Sequence, residues 1–154
     1  MHVRDACEQD AEQACSVVRR SIVELCSVDH RGDRGTLDLW LANKTAANMR
    51  RWIREHRVLV AADADAILGV AAMTSSGEIM LNYVSPDARF RGVSKALVRG
   101  LEVRAANLGI ERLTLKSTAT AVRFYRSIGY TESGAPLQGF GISMGQPMQK
   151  RLRR

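Results

Sequence analysis

Two kinds of apolar pattern alternate along the chain. In some stretches the apolar residues recur every three or four positions, which places them on one face of a helix. In others they are continuous or alternate with polar residues, which is typical of strands. The first pattern predicts helices at residues 8–26, 36–55 (with breaks), 93–108 and around 121–125. The second predicts strands at residues 3–7, 57–62, 67–73, 78–84, 112–116, 130–133 and 142–152.

Short polar segments separate these elements. Turns at residues 63–66 and 74–77 join three consecutive strands and therefore predict an antiparallel meander. The segment 29–35, rich in glycine and charged residues, predicts a loop, after which Thr36 would cap the next helix. No internal repeat, low-complexity segment or linker interrupts the sequence, so we predict a single α+β domain over residues 1–154.

One basic turn, residues 89–94, lies between the strand at 78–84 and the helix that begins near Val93. The first N–H groups of a helix have no intrahelical partner, and the helix dipole places partial positive charge there. Gly92 allows the backbone to approach an anion closely because no Cβ intervenes. Arg89 and Arg91 add positive charge beside the same N–H groups. The basic turn therefore predicts a pyrophosphate-binding site.

The overall charge favours anionic partners. The 154 residues include 23 Lys or Arg and 16 Asp or Glu, which gives a formal net charge of +7. Arg50, Arg51, Arg54 and Arg57 lie at helical spacing, and the solvated face of an amphipathic helix is favoured over a binding surface. Aromatic residues make up only 5% and do not interleave with basic residues in a strand that could stack bases. This argues against nucleic acid as a partner, although binding through the arginine face remains an alternative.

Neither a membrane segment nor a metal site is predicted. No apolar run approaches the length of roughly 20 residues that spans a bilayer, and the N-terminus lacks the charged-then-apolar pattern of a secretion signal. We therefore expect a cytoplasmic protein, in which Cys7, Cys15 and Cys26 are reduced thiols. Cys26 and His30 lie one helical turn apart, but two ligands without a second pair do not predict a metal site.

Two blocks of the sequence resemble the GCN5-related N-acetyltransferase (GNAT) family. The first is similar to the family's acetyl-CoA signature, in which Gln or Arg is followed by two residues, Gly, one residue, and Gly or Ala. Here it is Val84-Ser85-Pro86 followed by Arg89-x-x-Gly92-x-Ser94, with Ser94 departing from the usual last residue. The second block looks like the family's later helix and the strand that follows, and it is Ala121-x-x-Phe124-Tyr125-x-x-x-Gly129-Tyr130.

The resemblance implies an α+β, three-layer fold with a mixed, mostly antiparallel sheet that is splayed at its middle and flanked by helices. Acetyl-CoA would lie in the split as co-substrate, and no metal would be needed. The pantetheine arm would follow the backbone of Asn82, Tyr83 and Val84. The pyrophosphate would lie on the N–H groups of Phe90, Arg91, Gly92, Val93, Ser94 and Lys95. Thr118 stands near the position where the family often has an asparagine, and it could donate a hydrogen bond toward the CoA arm.

The resemblance also implies roles in the chemistry. Acetyl transfer to an amine requires removal of a proton from the amine and protonation of the departing thiolate. Tyr125 stands where the family usually has the tyrosine that protonates the CoA sulfur, although an ordinary core tyrosine is the alternative. Glu78 corresponds to the glutamate that some branches use as general base, and the alternative is a solvated residue after Gly77. His30 and His56 are interpreted as surface residues.

The sequence thus predicts an N-acetyltransferase that moves the acetyl group of acetyl-CoA directly to a primary amine of a small molecule or protein. The alternative is a non-catalytic CoA-binding regulatory module. The acceptor amine is not identified, although Asp29, Asp33 and Asp38 could make its pocket acidic. Because family members are often dimers, the resemblance implies a homodimer.

Overall fold

The computed structural model describes residues 1–139, 142–143 and 145–153 of the chain. Six α-helices are present in these residues: α1 (Ala11–Leu25), α2 (Ser27–His30), α3 (Arg34–Leu41), α4 (Ala46–Glu55), α5 (Val93–Asn107) and α6 (Val122–Ser127). The same residues contain nine strands: β1 (His2–Asp5), β2 (Arg57–Asp63), β3 (Ala66–Met73), β4 (Glu78–Val84), β5 (Arg112–Ser117), β6 (Thr131–Glu132), β7 (Gln138–Gly139), β8 (Ile142–Ser143) and β9 (Gln146–Arg151).

Seven of these strands form one sheet in the order β1-β2-β3-β4-β5-β9-β6, while β7 and β8 pair separately. Strands β1 to β4 are antiparallel to their neighbours, as the two predicted turns required. β4 and β5 are parallel, and β9 is antiparallel to both β5 and β6. The predicted α+β fold with a mixed, mostly antiparallel sheet is confirmed. The single-domain assignment of residues 1–154 stays a prediction.

The sheet has an apolar cluster on each face. One cluster packs α1, α3 and α4 against alternate residues of β2 and β3, including Val58, Val60 and Val70. The other packs α5 and α6 against the opposite residues of the same strands, including Leu59 and Ala71. Because β2 and β3 are buried on both faces, their sequences are nearly continuous apolar runs rather than alternating ones. The helices therefore flank the sheet on both sides.

Gly69 in β3 sets how closely α5 approaches the sheet. A Cβ at this position would lie 2.6 Å from Val93 Cγ1 and 2.9 Å from Leu97 Cδ1. Only a residue without a side chain allows this approach, which fixes the first turn of α5 against the sheet. The N-terminus of α5 is thereby held beside the end of β4.

The cap predicted for the helix after residue 35 was wrong. Helix α3 begins at Arg34 and is capped by Asp33, whose carboxylate accepts hydrogen bonds from the N–H and the hydroxyl of Thr36, each at 2.8 Å. Thr36 therefore lies inside the first turn. The pattern placed the cap three residues late because an N-cap carboxylate takes the N–H of the third helical residue. The broken helix at 36–55 is in fact two helices, the second capped by Thr45.

The loop predicted at 29–35 and the surface position of His30 were also wrong. Residues Ser27–His30 form α2, and Asp29 and His30 are only 2% and 3% exposed. The His30 ring lies 3.2 Å through Nε2 from the Val23 carbonyl oxygen, and Nδ1 accepts the Gly32 N–H at 2.9 Å. Charged composition suggested a loop in solvent, but these tertiary contacts satisfy the polar groups and allow burial.

The arginine face of α4 carries a carboxylate partner at each position. The four pairs are Arg50 with Glu12, Arg51 with Glu55, Arg54 with Glu8 and Arg57 with Asp5, at 2.6 to 3.9 Å. Exposed pairs of this kind contribute little to stability, but they neutralise the positive patch. The structure thus agrees with a solvated helix face.

The end of the chain differs from its prediction in extent. The strand predicted at 130–133 is reduced to β6, and that predicted at 142–152 is divided between β8 and β9. Residue 144, within the latter range, lies outside the described residues. Among the described residues, no helix is long and apolar enough to cross a membrane.

Candidate active site

The sheet opens between its two parallel strands. β4 and β5 pair only at Glu78 with Thr114 and at Ile79 with Leu115. Beyond these two pairs, β4 continues to Val84 with a partner on β3 but none on β5. The predicted splay is therefore confirmed, and its position is the second half of β4.

A bulge in β4 accompanies the opening. The β3–β4 register shifts between Ala72, which pairs with Leu81, and Met73, which pairs with Ile79. Met80 is therefore the extra residue of β4, and such bulges bend a strand and increase its twist. We infer that the bulge turns the end of β4 away from β5.

The opening is a cleft of about 380 Å³, hereafter the cleft. Its walls come from α1 and the residue after it, β4, the basic turn with the start of α5, and β5 with the segment leading into α6. The lining residues predicted from sequence are Asn82, Tyr83, Val84, Arg89, Phe90, Gly92, Val93, Ser94, Lys95, Thr118 and Tyr125.

Two predicted site residues do not line the cleft. The Arg91 guanidinium lies 3.3 Å from the Asp63 carboxylate, so its charge is directed to the end of β2. The Glu78 side chain is exposed and lies at the point where β4 and β5 meet. The structure thus brings the predicted cofactor residues together, apart from the Arg91 side chain, and leaves the Glu78 carboxylate outside the cleft.

One end of the cleft is built to receive an anion. Gly92 has φ +75° and serves as the N-cap of α5 without a side-chain hydrogen bond. The first helical bond runs from the Ala96 N–H to the Gly92 oxygen at 3.0 Å, so the N–H groups of the three preceding residues have no helical acceptor. Arg89 and Lys95 add positive charge to the same wall. These groups fit a pyrophosphate.

Phe90 in the basic turn also adopts a left-handed backbone, with φ +62°, and its side chain is 93% exposed. The Arg89 guanidinium carbon lies 4.7 Å from the centre of its ring. A cation at this distance over an aromatic face is attracted to the ring. The stacked pair forms part of the cleft wall at the anion-binding end.

Tyr125 lies near the middle of the cleft wall and is 5% exposed. Its hydroxyl oxygen accepts a hydrogen bond from Asn82 Nδ2 at 2.9 Å. Burial raises the pKa of Tyr125 to about 12, against a smaller lowering by the Asn82 hydrogen bond. The phenol therefore keeps its proton at neutral pH and can act as a donor in the cleft.

The remaining oxygen of Asn82 has no partner. Oδ1 is buried and receives no hydrogen bond within the part of the chain that the structure describes. Unsatisfied buried polar atoms are rare in folded proteins and are costly. Because Asn82 lines the cleft, the atom belongs to the wall that a ligand would contact.

A second tyrosine faces the cleft from the other side of β4. Tyr83 follows Asn82, so the two side chains point to opposite faces of the strand. The Tyr83 hydroxyl oxygen accepts a hydrogen bond from Trp40 Nε1 at 3.2 Å, and burial raises the pKa of Tyr83. Tyr83 is thus another neutral hydroxyl, held by α3.

Asp29 connects the two walls of the cleft. Its carboxylate accepts the Ala119 N–H at 2.6 Å and also the Thr120 hydroxyl. These contacts tie α2 to the turn that leads into α6, the helix that carries Tyr125. No local sequence signal could have revealed this contact, because the partners are about 90 residues apart in the chain.

The acidity expected of the 29–38 region is not available to the cleft. Asp29 is engaged as described, Asp33 caps α3, and Asp38 lies 3.7 Å from Arg34. None of the described lining residues is acidic, and the charged ones are Arg89, Lys95 and Lys116. The cleft wall is therefore positively charged on balance.

Sequence reasoning missed several lining residues, including Ser21 and Cys26 near α1 and Lys116 and Thr120 around β5. The alternation of β5 could have indicated Lys116, since Leu115 and Ser117 are buried on the opposite face. Burial raises the pKa of the Cys26 thiol to about 12, so it is not a nucleophile at neutral pH. The described residues include no group of three or more His, Cys, Asp or Glu placed to hold a metal.

The fold and the cleft define an acyltransferase of the splayed-sheet type, and comparisons with known proteins identify the family. Residues 35–152 match the family model of the acetyltransferase (GNAT) domain. This match covers most of the chain, which therefore belongs to the GNAT family and is an acetyltransferase. No curated protein sequence matches the chain significantly.

Solved structures with the same fold are distant in sequence. A GCN5-related N-acetyltransferase of Rhodopseudomonas palustris is 23% identical, with a TM-score of 0.87 over 98% of this chain and 95% of that one. The PaiA N-acetyltransferase of Thermoplasma acidophilum, solved with coenzyme A, is 17% identical, with a TM-score of 0.80 over 97% and 98%. A ribosomal-protein-alanine N-acetyltransferase of Brucella melitensis is 21% identical, with a TM-score of 0.75 over 99% and 100%.

Proposed function

We propose that this protein transfers the acetyl group of acetyl-CoA directly to a primary amine, with Tyr125 as general acid and Glu78 as general base. The observation that carries the proposal is the cleft itself. It combines an unpaired length of β4 backbone, free N–H groups at the start of α5 and a buried, protonated tyrosine. An anionic carrier with an extended arm requires this combination.

Binding of the carrier would use the backbone more than side chains. The N–H groups of Val93, Ser94 and Lys95, with the charges of Arg89 and Lys95, would hold the diphosphate. The β4 backbone from Asn82 to Val84 would pair with the amides of the pantetheine arm, as an added strand does. Acetyl-CoA supplies a thioester, whose carbonyl carbon accepts the nucleophile. The PaiA structure with coenzyme A supports this choice of carrier.

Tyr125 would supply the proton for the leaving group. As the amine nitrogen bonds to the acetyl carbon and the carbon–sulfur bond breaks, Tyr125 donates its hydroxyl proton to the departing sulfur. Its high pKa is suited to this role, because the proton is retained at neutral pH until negative charge develops beside it. Solvent entering the cleft can return the proton.

Glu78 would accept the proton of the amine through water. Its exposed carboxylate follows the β3–β4 turn and lies next to Ile79, which does line the cleft. A direct contact with the amine is not supported by this placement, so the path needs at least one water molecule.

The acceptor is a primary amine on a small molecule or a protein. The Brucella melitensis relative is named for an alanine of a ribosomal protein, which is one class of acceptor with a terminal amine. Among the described residues, the cleft wall carries three basic side chains and no carboxylate. Polycationic amines are disfavoured by this charge, whereas amines on neutral or acidic molecules are not.

A homodimer remains a prediction from the family resemblance, and the single domain a prediction from the sequence. One sheet includes residues from His2 to Arg151, which supports the latter. Light scattering of the purified protein would test the oligomeric state. A Kd for CoA that is independent of protein concentration would indicate a site complete in one chain.

The decisive experiment combines binding with transfer. Calorimetry should show that the protein binds acetyl-CoA, and a panel of amines scored by thiol release should identify an acceptor. Tyr125→Phe removes only the hydroxyl, so CoA should still bind while kcat falls roughly a hundredfold or more. A protein that binds CoA but transfers acetyl to no amine would instead be a regulatory module, and one that ignores CoA would contradict the proposal altogether.

A further inference from the structure

The side-chain amide of Asn82 lies at the centre of the cleft and has two different ends. Nδ2 donates to the Tyr125 hydroxyl oxygen at 2.9 Å. Oδ1, on the other end, is buried without a donor among the described residues. One end of the amide is thus spent on the protein, and the other is left for something that the protein does not supply.

The hydrogen bond determines where the Tyr125 proton can point. An amide nitrogen donates and does not accept, so the Tyr125 oxygen must be the acceptor of this bond. The hydroxyl hydrogen is then free, and no described residue accepts it. Two aromatic rings pack edge-on against the Tyr125 ring, those of Phe124 and Tyr130, and the Tyr130 hydroxyl is itself bonded to Glu102. The open direction for the proton is the cleft.

We propose that Asn82 is a positioning residue, which directs the Tyr125 proton into the cleft and accepts, through Oδ1, an N–H hydrogen bond from the bound ligand. The inference rests on the proposed acetyl transfer, because the proton is useful there only if a leaving sulfur receives it. Asn82 makes and breaks no covalent bond. It fixes the direction of a donor that acts on the substrate.

The unpartnered Oδ1 requires a donor, because a buried acceptor without one costs about 1–3 kcal/mol. Asn82 belongs to the part of β4 that has no partner on β5, so a ligand in the cleft is the available source. Two ligands offer an N–H at this place. One is an amide of the carrier's pantetheine arm, and the other is the attacking amine. Both supply the same chemistry to Oδ1, and experiment can separate them.

The direction of the proton is tested by binding alone. Desulfo-CoA lacks the sulfur, so the ratio of its Kd to that of CoA, measured by calorimetry at a pH near the thiol pKa, reports the contact between sulfur and Tyr125. In the Asn82→Asp variant a carboxylate can accept the Tyr125 proton and turn it away from the sulfur. We expect the ratio to fall roughly tenfold in this variant, as for the loss of one hydrogen bond.

The Asn82→Leu variant is the matched control. Leucine has a similar size but offers no acceptor, so the Tyr125 proton stays free and the ratio should remain within roughly threefold of wild type. Equal ratios in all three proteins would overturn the inference. An equal fall in both variants would show that Asn82 acts only through packing and would overturn it as well. Thermal melting of each variant establishes that it is folded.

The occupant of Oδ1 is identified with the same Leu variant. If a pantetheine amide donates to Oδ1, the affinity for both CoA and desulfo-CoA should fall about tenfold together. If the attacking amine donates, both affinities should stay as in wild type while the KM of the amine rises about tenfold. Either result supports the inference, and no change in any of these constants would overturn the role of Oδ1.

A wild-type measurement covers the case in which the Asp variant does not fold. Carbon-13 spectra of labelled tyrosine, with Tyr125 assigned through Tyr125→Phe, should change at Tyr125 when CoA is added and change less with desulfo-CoA. Identical responses would overturn the inference. If wild type binds CoA and transfers acetyl while the Asn82 variants behave as wild type, only the role of Asn82 fails. If wild type does not bind CoA, the proposed function fails and the inference with it.

Discussion

The two edges of β4 behave differently although they belong to one strand. Along β3 the pairing runs from Ile79 to Val84, and along β5 it stops after Ile79. The backbone N–H and C=O groups of the open edge need partners as much as those of the closed edge. The cleft is therefore the place of a missing strand, and an extended ligand arm can complete it.

The side chains around the two edges differ accordingly. The closed edge faces Val70, Ala71 and Ala72 of β3, which are fully buried. The open edge faces Lys116, Thr118 and Tyr125, which are polar or carry a polar end. The comparison teaches that the same strand supports folding on one side and binding on the other. The following changes would test this division.

The largest effect is expected at Asp29, which ties the two walls of the open edge. Asp29→Ala leaves the Ala119 N–H and the Thr120 hydroxyl without their acceptor and should lower the free energy of unfolding by about 2–5 kcal/mol. Denaturant unfolding measures this loss. Asp29→Asn keeps the shape and one acceptor, so it should lose less. An unchanged stability in both variants would contradict the role of Asp29 as a tie.

The next effect concerns the closed edge. Gly69→Ala places a Cβ 2.6 Å from Val93 Cγ1, which should displace the start of α5 and cost about 1–3 kcal/mol. Because α5 supplies the N–H groups for the diphosphate, the affinity for CoA should also fall. Gly134→Ala is a suitable control, since its nearest neighbour would be 3.7 Å away. Equal effects of the two substitutions would contradict the wedge.

Glu78, at the junction of the two edges, should affect rate rather than folding. Glu78→Gln removes the carboxylate and should lower kcat/KM for the amine roughly tenfold to a hundredfold, with little change in the affinity for CoA. The rate should then lose its dependence on one acidic group at low pH. Glu55→Gln, on the exposed side of α4, serves as the control. If both variants match wild type, the base is elsewhere.

The smallest effect is in the pH profile. Tyr125 must be protonated to donate, and burial raises its pKa from 10 to about 12. We therefore expect no loss of kcat from this group as the pH rises to about 10. The stability that comes with its raised pKa is present below about pH 10 and is lost as the pH rises through about 12. A basic limb of kcat near neutral pH that disappears in Tyr125→Phe would contradict this assignment.

The sequence by itself determined the elements, the basic turn and the family. Periodicity over neighbouring residues indicates which face of a helix or strand is apolar, so the helices, strands and meander were predictable from local pattern. The diphosphate end of the cleft was also predictable, because Gly92 and the first residues of α5 are contiguous. The two motifs fixed the order in which Tyr125 follows the basic turn.

The tertiary structure alone decided which groups meet across the cleft. Asp29 reaches a turn about 90 residues away, His30 is buried by contacts within its own loop and α1, and Arg91 turns to Asp63 instead of the diphosphate site. The partner of Tyr125 and the orphan oxygen of Asn82 likewise appear only when β4 and α6 are packed together. Contacts between distant residues depend on packing and leave no local pattern, which is why no reading of the chain in order could have supplied them.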